Sequence, residues 1–424
     1  MNAEFLARLA QAQTEEEKDW LLAELSLSVL SPELRAMALA AAVPHWFDAN
    51  ILGALQPDLA QQAEELYLQL QDLSFVEVFP DRGHNIHERT RKAMLNHLWA
   101  TDEEAFKQFS QRLVDYFGAE NTNRIEQIYH AVMADFEAGS IQFERYITNL
   151  DHNFRRGEAE ALLAAVQEQV EAERVPSRFA ADVIYRFGKI HFRFYEADEA
   201  LEHYDTALKL YEQVGDNLGK ANTLKAIGDV LQFLKRCDEA LERYDTALKL
   251  YEQVGANLGK ANTLSAIGRM QQTLMQFEAA LNNYQRALHL YQEIGDRWSE
   301  AITLQNLATL YHQMGRVREG FVTAYQANSI LQNLEVPLSV MPYPNWLKQS
   351  MRFAEQGKWQ LTLLIIVGVL TSPFWLSFLG AILLWRMTFG RLFATQPILR
   401  KWRYGLYALF GLVIVLLVAW IYMK

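Results

Sequence analysis

The sequence contains a single cysteine, Cys237, among 424 residues, so no disulfide can form within the chain. This absence excludes the disulfide-stabilised class of small secreted proteins and favours a reducing compartment. Basic residues are also scarce: 40 Lys and Arg stand against 51 Asp and Glu, which gives a net charge of -11. Nucleic-acid-binding proteins normally present a basic face, so we expect no nucleic-acid partner. A chain of this length has room for two or three domains.

Signatures of catalysis and of metal binding are missing as well. His84 and His87 in "HNIHE" lack the spacing and the third ligand that a metal motif needs. The stretch "GDNLGKANT" resembles a phosphate-binding loop, but Gly215 and Gly219 are one residue too close and alanine follows Lys220. We interpret it as a turn between helices. The sequence shows no nucleophile–base arrangement, and we predict neither an enzyme nor a bound cofactor or metal.

Two long apolar segments stand near the C-terminus. Residues 359–385 and 404–423 are rich in aliphatic and aromatic residues and, within 359–385, free of charge. A membrane-spanning helix needs about 20 apolar residues, and tryptophans near the segment ends suit the membrane interface. We therefore predict an integral membrane protein with a C-terminal anchor, preceded by a linker over residues 341–358.

The topology of this anchor has two readings. The loop over residues 386–403 is basic and lacks acids, which favours a cytoplasmic position. The first 30 residues show no signal peptide, which places the soluble part in the cytoplasm too. The loop and the soluble part can both lie in the cytoplasm if residues 359–385 form a re-entrant hairpin broken at "TSP". Otherwise that segment spans the membrane once. In either case membrane lipid is a partner of the C-terminal segments.

Two stretches of the sequence are nearly identical. "DEALEHYDTALKLYEQVGDNLGKANTL" returns 40 residues later with only two changes, from His203 to Arg243 and from Asp216 to Ala256. The same period extends further, because glycines at 188, 228 and 268 are followed by alanine at 308. Small residues recur 12 and 19 positions after each of these, and in the first three copies a tyrosine lies between. The small residues are Ala200, Ala240, Ala280 and Gly320, then Ala207, Ala247, Ala287 and Ala327; the tyrosines are Tyr204, Tyr244 and Tyr284.

Small and aromatic residues at this spacing are characteristic of tetratricopeptide repeats, in which each unit is a pair of antiparallel helices. The unit of 40 residues is longer than the usual one of about 34. It resembles the longer-helix subtype of the Pins/LGN family and, less closely, kinesin light chains. The resemblance covers residues 178–335 and implies about four repeats within 177–340, packed through the small residues with tyrosines filling the gaps.

In such arrays the resemblance places ligand binding on the concave face, along exposed positions of each first helix. Counted from the glycine register, these positions carry amides and charges of both signs, which suit an extended or helical peptide. An ordinary solvated position is the alternative for any single residue. The candidate partner-binding residues are Asp182, Lys189, Arg193, Asn222, Lys225, Asp229, Gln232, Asn262, Arg269, Gln272, Gln305 and His312.

The N-terminal part changes character near residue 75. Helical segments precede "FVEVF", which alternates like a strand, and "PDRG", which is a turn. Helix, strand, turn, strand and helix in this order look like a winged helix, and "NIHERTRKAML" resembles the segment that closes that module in STAND-type signalling NTPases. The resemblance covers residues 30–175 and implies a winged-helix-like domain over 1–100 and a helical arm over 101–176. The NTPase module of that family has no counterpart here.

The predicted fold class is mostly α: a helical, winged-helix-like domain, a tetratricopeptide α-solenoid and C-terminal transmembrane helices. The leading hypothesis for function is a membrane-anchored interaction scaffold that binds a partner protein or peptide in the groove of its repeats. The alternative is a signalling component related to STAND-type switches that has lost its NTPase module.

Overall fold

The computed structural model describes residues 3–120 and 123–336. The predicted linker, both apolar segments and the basic loop lie outside these residues. The described part is mostly helical and divides into two compact units, one ending at Met270 and one beginning at Gln271. Every described helix is too short or too polar to cross a lipid bilayer.

The elements follow one another in three groups. The first comprises α1 (Ala3–Gln11), α2 (Glu15–Ser28), α3 (Pro32–Ala41), α4 (Ala49–Leu55), a 3₁₀ helix (Pro57–Gln62), α5 (Ala63–Gln71), β1 (Val76–Phe79), β2 (Gly83–Ile86) and α6 (Glu88–Thr101). The second comprises α7 (Glu103–Glu120), α8 (Arg124–Ala134), α9 (Phe136–His152) and α10 (Arg156–Glu171). The third comprises α11 (Ser177–Arg193), α12 (Ala197–Val214), α13 (Asn217–Phe233), α14 (Cys237–Gln253), α15 (Asn257–Thr273), α16 (Phe277–Ile294), α17 (Arg297–Gln313) and α18 (Val317–Asn333).

The predicted strand–turn–strand segment forms an antiparallel hairpin of β1 and β2. Phe47 adds a short bridge, because its N–H donates to the His84 carbonyl over 2.7 Å and its carbonyl accepts from His84 over 3.0 Å. Gly83 has φ +106°, and a Cβ there would lie 2.5 Å from the Phe47 carbonyl oxygen. Only glycine fits at this point. The order α5–β1–β2–α6 agrees with the predicted pattern, and its identity as a winged helix stays a prediction.

A buried ionic cluster joins the N-terminal elements to α8 and α10 within the first unit. The His45 imidazole lies 2.9 Å from the Glu126 carboxylate on α8 and 3.2 Å from Glu168 on α10. Arg91 on α6 donates to Glu168 over 2.8 Å and to the Pro44 carbonyl over 3.2 Å. Since each charge has an opposite partner at hydrogen-bond distance, the cluster fixes four segments against one another.

The helix pairs of the third group pack through glycine and tyrosine, as the repeat pattern predicts. A Cβ on Gly188 or on Gly228 would lie 2.6 Å from the ring of Tyr204 or Tyr244 on the second helix of the pair. Such a contact is shorter than carbon atoms tolerate, so a larger residue would push the two helices apart. Both rings are essentially inaccessible to solvent. The α11–α12 and α13–α14 pairs therefore close around these tyrosines.

The interpretation of "GDNLGK" as a turn is only partly right. Gly215 ends α12 with φ +71°, and Asp216 then caps α13 by accepting from the Gly219 N–H over 2.9 Å. The turn is thus two residues long, and Lys220 already lies in the first helical turn. The Asp216 cap satisfies an amide that the start of the helix leaves free. The second copy has Ala256 at this place, which offers no such cap, yet α15 begins at the equivalent Asn257, so the cap adds stability without setting the start.

The ionic cluster predicts a pH dependence of stability. Burial lowers the pKa of His45, but Glu126 and Glu168 outweigh burial and Arg91 and raise it to about 9. The neighbouring His130 stays neutral, because burial lowers its pKa. The unfolded chain has an ordinary histidine pKa of about 6.5, so the folded state binds this proton more tightly. The resulting stabilisation is complete below pH 6.5 and is lost as the pH rises through about 9.

Hydrogen exchange of α10, corrected for intrinsic rates, measures this effect. We expect the opening free energy to fall by about 2–3 kcal/mol between pH 6.5 and pH 9. A His45→Gln variant, which has no charge to lose, serves as the control and should show a flat profile across this window. Equal slopes in the two proteins would contradict the prediction.

Candidate functional site

Seven of the predicted partner-binding residues lie on two neighbouring helices of the first unit. Asp182, Lys189 and Arg193 stand on α11, and α13, which lies beside it, contributes four more. All seven side chains are partly exposed. We call this set the unit-1 face, and it consists of Asp182, Lys189, Arg193, Asn222, Lys225, Asp229 and Gln232.

Buried tyrosines of the second helices reach this face with their hydroxyl groups. Tyr211 donates to the Asp182 carboxylate over 2.5 Å, and Tyr251 donates to the Asn222 amide oxygen over 2.8 Å. The two bonds repeat at the same sequence separation of 29 residues. Because one end of each tyrosine is packed in the repeat, the bond holds the polar side chain in a fixed position.

A third tyrosine organises the centre of α13. Tyr244 donates to the Asp229 carboxylate over 2.8 Å, and the Gln232 amide oxygen lies 3.1 Å from the same hydroxyl. Lys225 completes the group through an ion pair of 2.6 Å with Asp229, one helical turn away. Each of these polar groups is therefore oriented by a neighbour, while part of its surface remains open to solvent.

The α11 end of the face is completed from α9, a helix that the sequence interpretation assigned to the arm. Asp151 lies 3.4 Å from the Lys189 ammonium and 2.9 Å from the Arg193 guanidinium. Arg193 also lies 4.9 Å from the centre of the Phe154 ring. Phe154 ends α9 with φ +56°, as Tyr195 ends α11 with φ +67°. The two helix ends share this left-handed turn, which a glycine register does not reveal because neither residue is a glycine.

Partial burial changes the ionisation of two charged groups on the face. Burial raises the pKa of the Asp182 carboxyl, although the Tyr211 hydroxyl opposes this. Burial and the nearby Arg186 lower the pKa of the Lys189 ammonium, and Asp151 acts in the opposite direction. Both side chains are partly buried, so a partner that meets them has less water to displace.

The remaining candidates differ in how the structure places them. Asn262 and Arg269 are exposed on α15. Burial and Asp229 raise the pKa of the Tyr244 hydroxyl, and the nearby charge of Arg269 acts in the opposite direction. In the second unit His312 is exposed on α17. Gln272 accepts from Tyr284 over 2.9 Å and donates to Gln313 over 2.7 Å.

Gln305 does not have the exposure that its register position predicts. Its side chain is only 2% exposed, and its amide has no hydrogen-bond partner among the described residues. The equivalent residues Lys225 and Ser265 are also partly buried. This register position therefore lies at the edge of the interface between helices. A lysine there can still extend its ammonium to the surface, whereas the shorter glutamine stays inside.

The chemistry available on the unit-1 face is hydrogen bonding and charge pairing. Within residues 3–120 and 123–336, no group of three or more His, Cys, Asp or Glu side chains has the geometry to hold a metal ion. The face offers two carboxylates, two amides and three cations. These groups match the peptide bonds and the charged side chains of a bound polypeptide.

Comparison with known proteins bears on the same segments. Residues 179–253 and 259–319 match the sequence profile of the tetratricopeptide repeat. These two segments are tetratricopeptide repeats. The match covers α11 to α14 and α15 to the first residues of α18, and it includes the unit-1 face. No curated protein matches the sequence significantly.

Several solved structures resemble the chain at low identity. BtubC from P. vanneervenii is 17% identical, with 58% of this chain and 96% of that one covered and a TM-score of 0.43. Aspartyl phosphate phosphatase F from Bacillus subtilis is 13% identical, with 73% and 77% covered and a TM-score of 0.43. A STAND protein with a tetratricopeptide repeat sensor from Pyrococcus horikoshii is 14% identical, with 96% and 68% covered and a TM-score of 0.39. At these values the likeness says nothing about function.

The tyrosine bonds to the face predict unequal costs for removing single hydroxyl groups. Tyr244→Phe removes a bond to a carboxylate and should lower the opening free energy of α13 and α14 by about 1.5–3 kcal/mol. Tyr251→Phe removes a bond to a neutral amide and should cost about 0.5–1.5 kcal/mol. Both variants keep the ring that fills the space beside glycine.

Hydrogen exchange of the full chain measures both costs. Tyr195→Phe is the matched control, because that side chain is 75% exposed and its loss of a hydroxyl should leave exchange unchanged. If Tyr244→Phe behaves like Tyr195→Phe, the hydroxyl does not hold the face in place.

Proposed function

We propose that this protein is a membrane-anchored scaffold whose repeats bind a peptide segment of a partner protein along the unit-1 face. The observation that carries the proposal is the anchoring of polar face residues by buried tyrosines. Asp182, Asn222 and Asp229 each accept a hydrogen bond from the hydroxyl group of a tyrosine that is packed inside the repeat. Side chains that are fixed in advance lose little entropy when a partner binds them.

The charge pattern of the face indicates which kind of peptide fits. Lys225 is paired with Asp229, and both Lys189 and Arg193 are paired with Asp151. A strongly acidic or basic polymer would have to break these pairs. A peptide that carries amides and isolated charges of either sign can instead add hydrogen bonds to groups that remain paired. A nucleic acid is a strongly acidic polymer, so we propose no nucleic-acid partner.

Further contacts are proposed beyond the unit-1 face. Asn262 and Arg269 are exposed on α15 in the first unit, and Gln272 and His312 are accessible in the second. Gln305 is left out, because its side chain is buried. We assign binding to the accessible residues and a chemical step to none of them.

The membrane part of the proposal depends on the sequence outside the described residues. Residues 359–385 and 404–423 have the length and apolar composition of membrane segments. We propose that they hold the repeats at the cytoplasmic side of a membrane, with the basic loop 386–403 beside anionic lipid. The anchor would raise the local concentration of the partner at that surface.

A second candidate function has one specific observation in its favour. The hairpin of β1 and β2 stands between α5 and α6, as in the winged-helix module that the sequence resembles. A signalling component related to STAND-type switches would use this region, rather than the repeats, to act on a nucleotide-binding partner.

Charge reversal on the face tests the leading proposal. In Lys225→Glu/Arg269→Glu, two cations become anions, so a bound peptide should lose contacts, and we expect its cross-links to fall at least about tenfold. Cross-linking and mass spectrometry on membranes that carry the full chain provide the measurement. Lys209→Glu/Lys249→Glu is the matched control, because it makes the same change of charge at exposed positions of α12 and α14.

The outcomes separate the two functions. A partner set that stays unchanged in the face variant, or that changes equally in the control, contradicts binding at the unit-1 face. Cross-links of a nucleotide-binding protein to residues 30–175 in both variants favour the signalling component instead. Circular dichroism of each variant checks that the helices remain folded.

A reporter enzyme inserted within residues 388–400 tests the membrane topology. We expect a cytoplasmic signal, since the loop carries Arg391 and Arg400 without an acid between them. The same reporter placed before residue 3 gives the reference for the soluble part. A signal from the opposite side of the membrane would exclude the re-entrant hairpin and show that residues 359–385 span once.

A further inference from the structure

A cleft of about 920 Å³ opens in the first unit, away from the unit-1 face. The β1–β2 hairpin and the start of α6 form one wall, and α8 and α9 form the other. One side of α10 makes the floor. Sites for small organic ligands commonly have volumes of roughly 300–1,000 Å³, so the cleft has the size of such a site.

The floor of the cleft includes a patch of short apolar side chains between its polar residues. Ala161, Ala164 and Ala165 line it, and the first two are exposed. Phe79 and Tyr146 stand on the walls. The short side chains leave room for a flat apolar group, and Phe79 and Tyr146 add apolar surface to the walls.

Three arginines of the lining have neutral rather than anionic partners. Arg174 is buried, at 8% exposure, and donates to the amide oxygens of Gln169 and Asn96. Arg124 donates to the Gln127 amide oxygen over 2.5 Å. Arg82 lies 5.5 Å from the centre of the Trp46 ring. Among the described residues, none of the three arginines has a carboxylate within ion-pair distance.

A hydrogen-bond chain connects Arg174 to the ionic cluster below the cleft. Gln169 accepts from Arg174 and donates to the Tyr129 hydroxyl, which lies 3.4 Å from Glu168. The buried carboxylate of Glu126 and the half-buried carboxylate of Glu168 are already engaged by His45 and Arg91. With His45 protonated, the cluster and Arg174 together carry three cations, His45, Arg91 and Arg174, against these two carboxylates. A buried cation without an anionic partner lowers the stability of the fold, and binding of an anion beside it removes this penalty.

We propose that this cleft binds a small organic anion, with a carboxylate or phosphate group paired to the lining arginines and a flat apolar body above the alanines. The exposed carboxylates of Glu88 and Glu171 also line the cleft. They repel ligands of high negative charge, which restricts the site to a molecule with one compact anionic group.

Benzoate and phenyl phosphate are suitable probes, since they share a flat ring and differ in the anionic group. Hydrogen exchange of the full chain in lipid nanodiscs is measured at increasing millimolar concentrations of each probe. We expect saturable protection in α10 and in the β1–β2 hairpin, and none in α16 to α18. The stronger of the two probes identifies the anionic group. Benzyl alcohol has the ring without the charge and should give no protection.

Two variants and their matched controls locate the binding. Arg124→Glu should raise the half-saturating concentration at least about tenfold, because a charge-assisted bond becomes repulsion. Ala164→Trp should abolish protection by filling the space above the alanines. Arg145→Glu on α9 and Ala100→Trp on α6 are changes of the same kind at exposed positions outside the cleft and should leave binding unchanged.

Three results would overturn the proposal. The first is the absence of protection by both anions. The second is equal protection by benzyl alcohol, which would show that the charge plays no part. The third is an equal effect of Arg145→Glu and Arg124→Glu, which would indicate diffuse attraction of anions to the surface. None of these results concerns the unit-1 face, so binding of a peptide there stands or falls separately.

Discussion

The contact between a tyrosine ring and a glycine of the facing helix is the constraint on which the repeat structure depends. Tyr204 and Tyr244 lie where a Cβ on Gly188 or Gly228 would approach to 2.6 Å. A second set follows the same rule, because Tyr251 lies over Gly259 with a distance of 2.2 Å to such a Cβ. The rings fill the space that the missing glycine side chains leave. The distance between the two helices is therefore set by the packing of the aromatic rings.

The same tyrosines connect packing to function. Their rings are buried in the repeats, and their hydroxyl groups end at Asp182, Asn222 and Asp229 on the unit-1 face. A buried hydroxyl needs an acceptor, and in these repeats the acceptor is a side chain that also faces solvent. Polar residues of the face are therefore structural partners and candidate binding groups at once, which explains why exposure by itself is a poor guide to their role.

Charge is organised differently in the N-terminal part. On the face, the Lys225–Asp229 pair is local and partly hydrated. Around His45 the pairs are partly buried and connect segments that are distant along the chain. Arg174 extends that cluster towards the cleft and donates to the amide oxygens of Gln169 and Asn96. A buried cation thus lines a cleft of a chain with a net charge of -11, so the total charge does not describe the chemistry of individual clefts.

Much of the repeat structure could be predicted, because its determinants recur locally. The step of 40 residues from Gly188 to Gly228 locates the first helix of each pair, and Tyr204 and Tyr244 locate the second. The hairpin was predictable for the same reason, since "FVEVF" and "PDRG" are short-range signals. The interpretation of "GDNLGKANT" as a turn places the start of α13 too late, because its first helical turn, "NLGK", contains asparagine and glycine and so reads like a loop.

The sequence by itself determined the helix pairs, their register and the polar character of the first helices, because each follows from residues a few positions apart. Only the tertiary structure decided that Gln305 is buried, that Asp151 joins Arg193, and that His45 meets Glu126 and Glu168. These last partners are 42, 81 and 123 residues apart. Such separations leave no periodic trace in a single sequence, since their geometry depends on how whole helices pack.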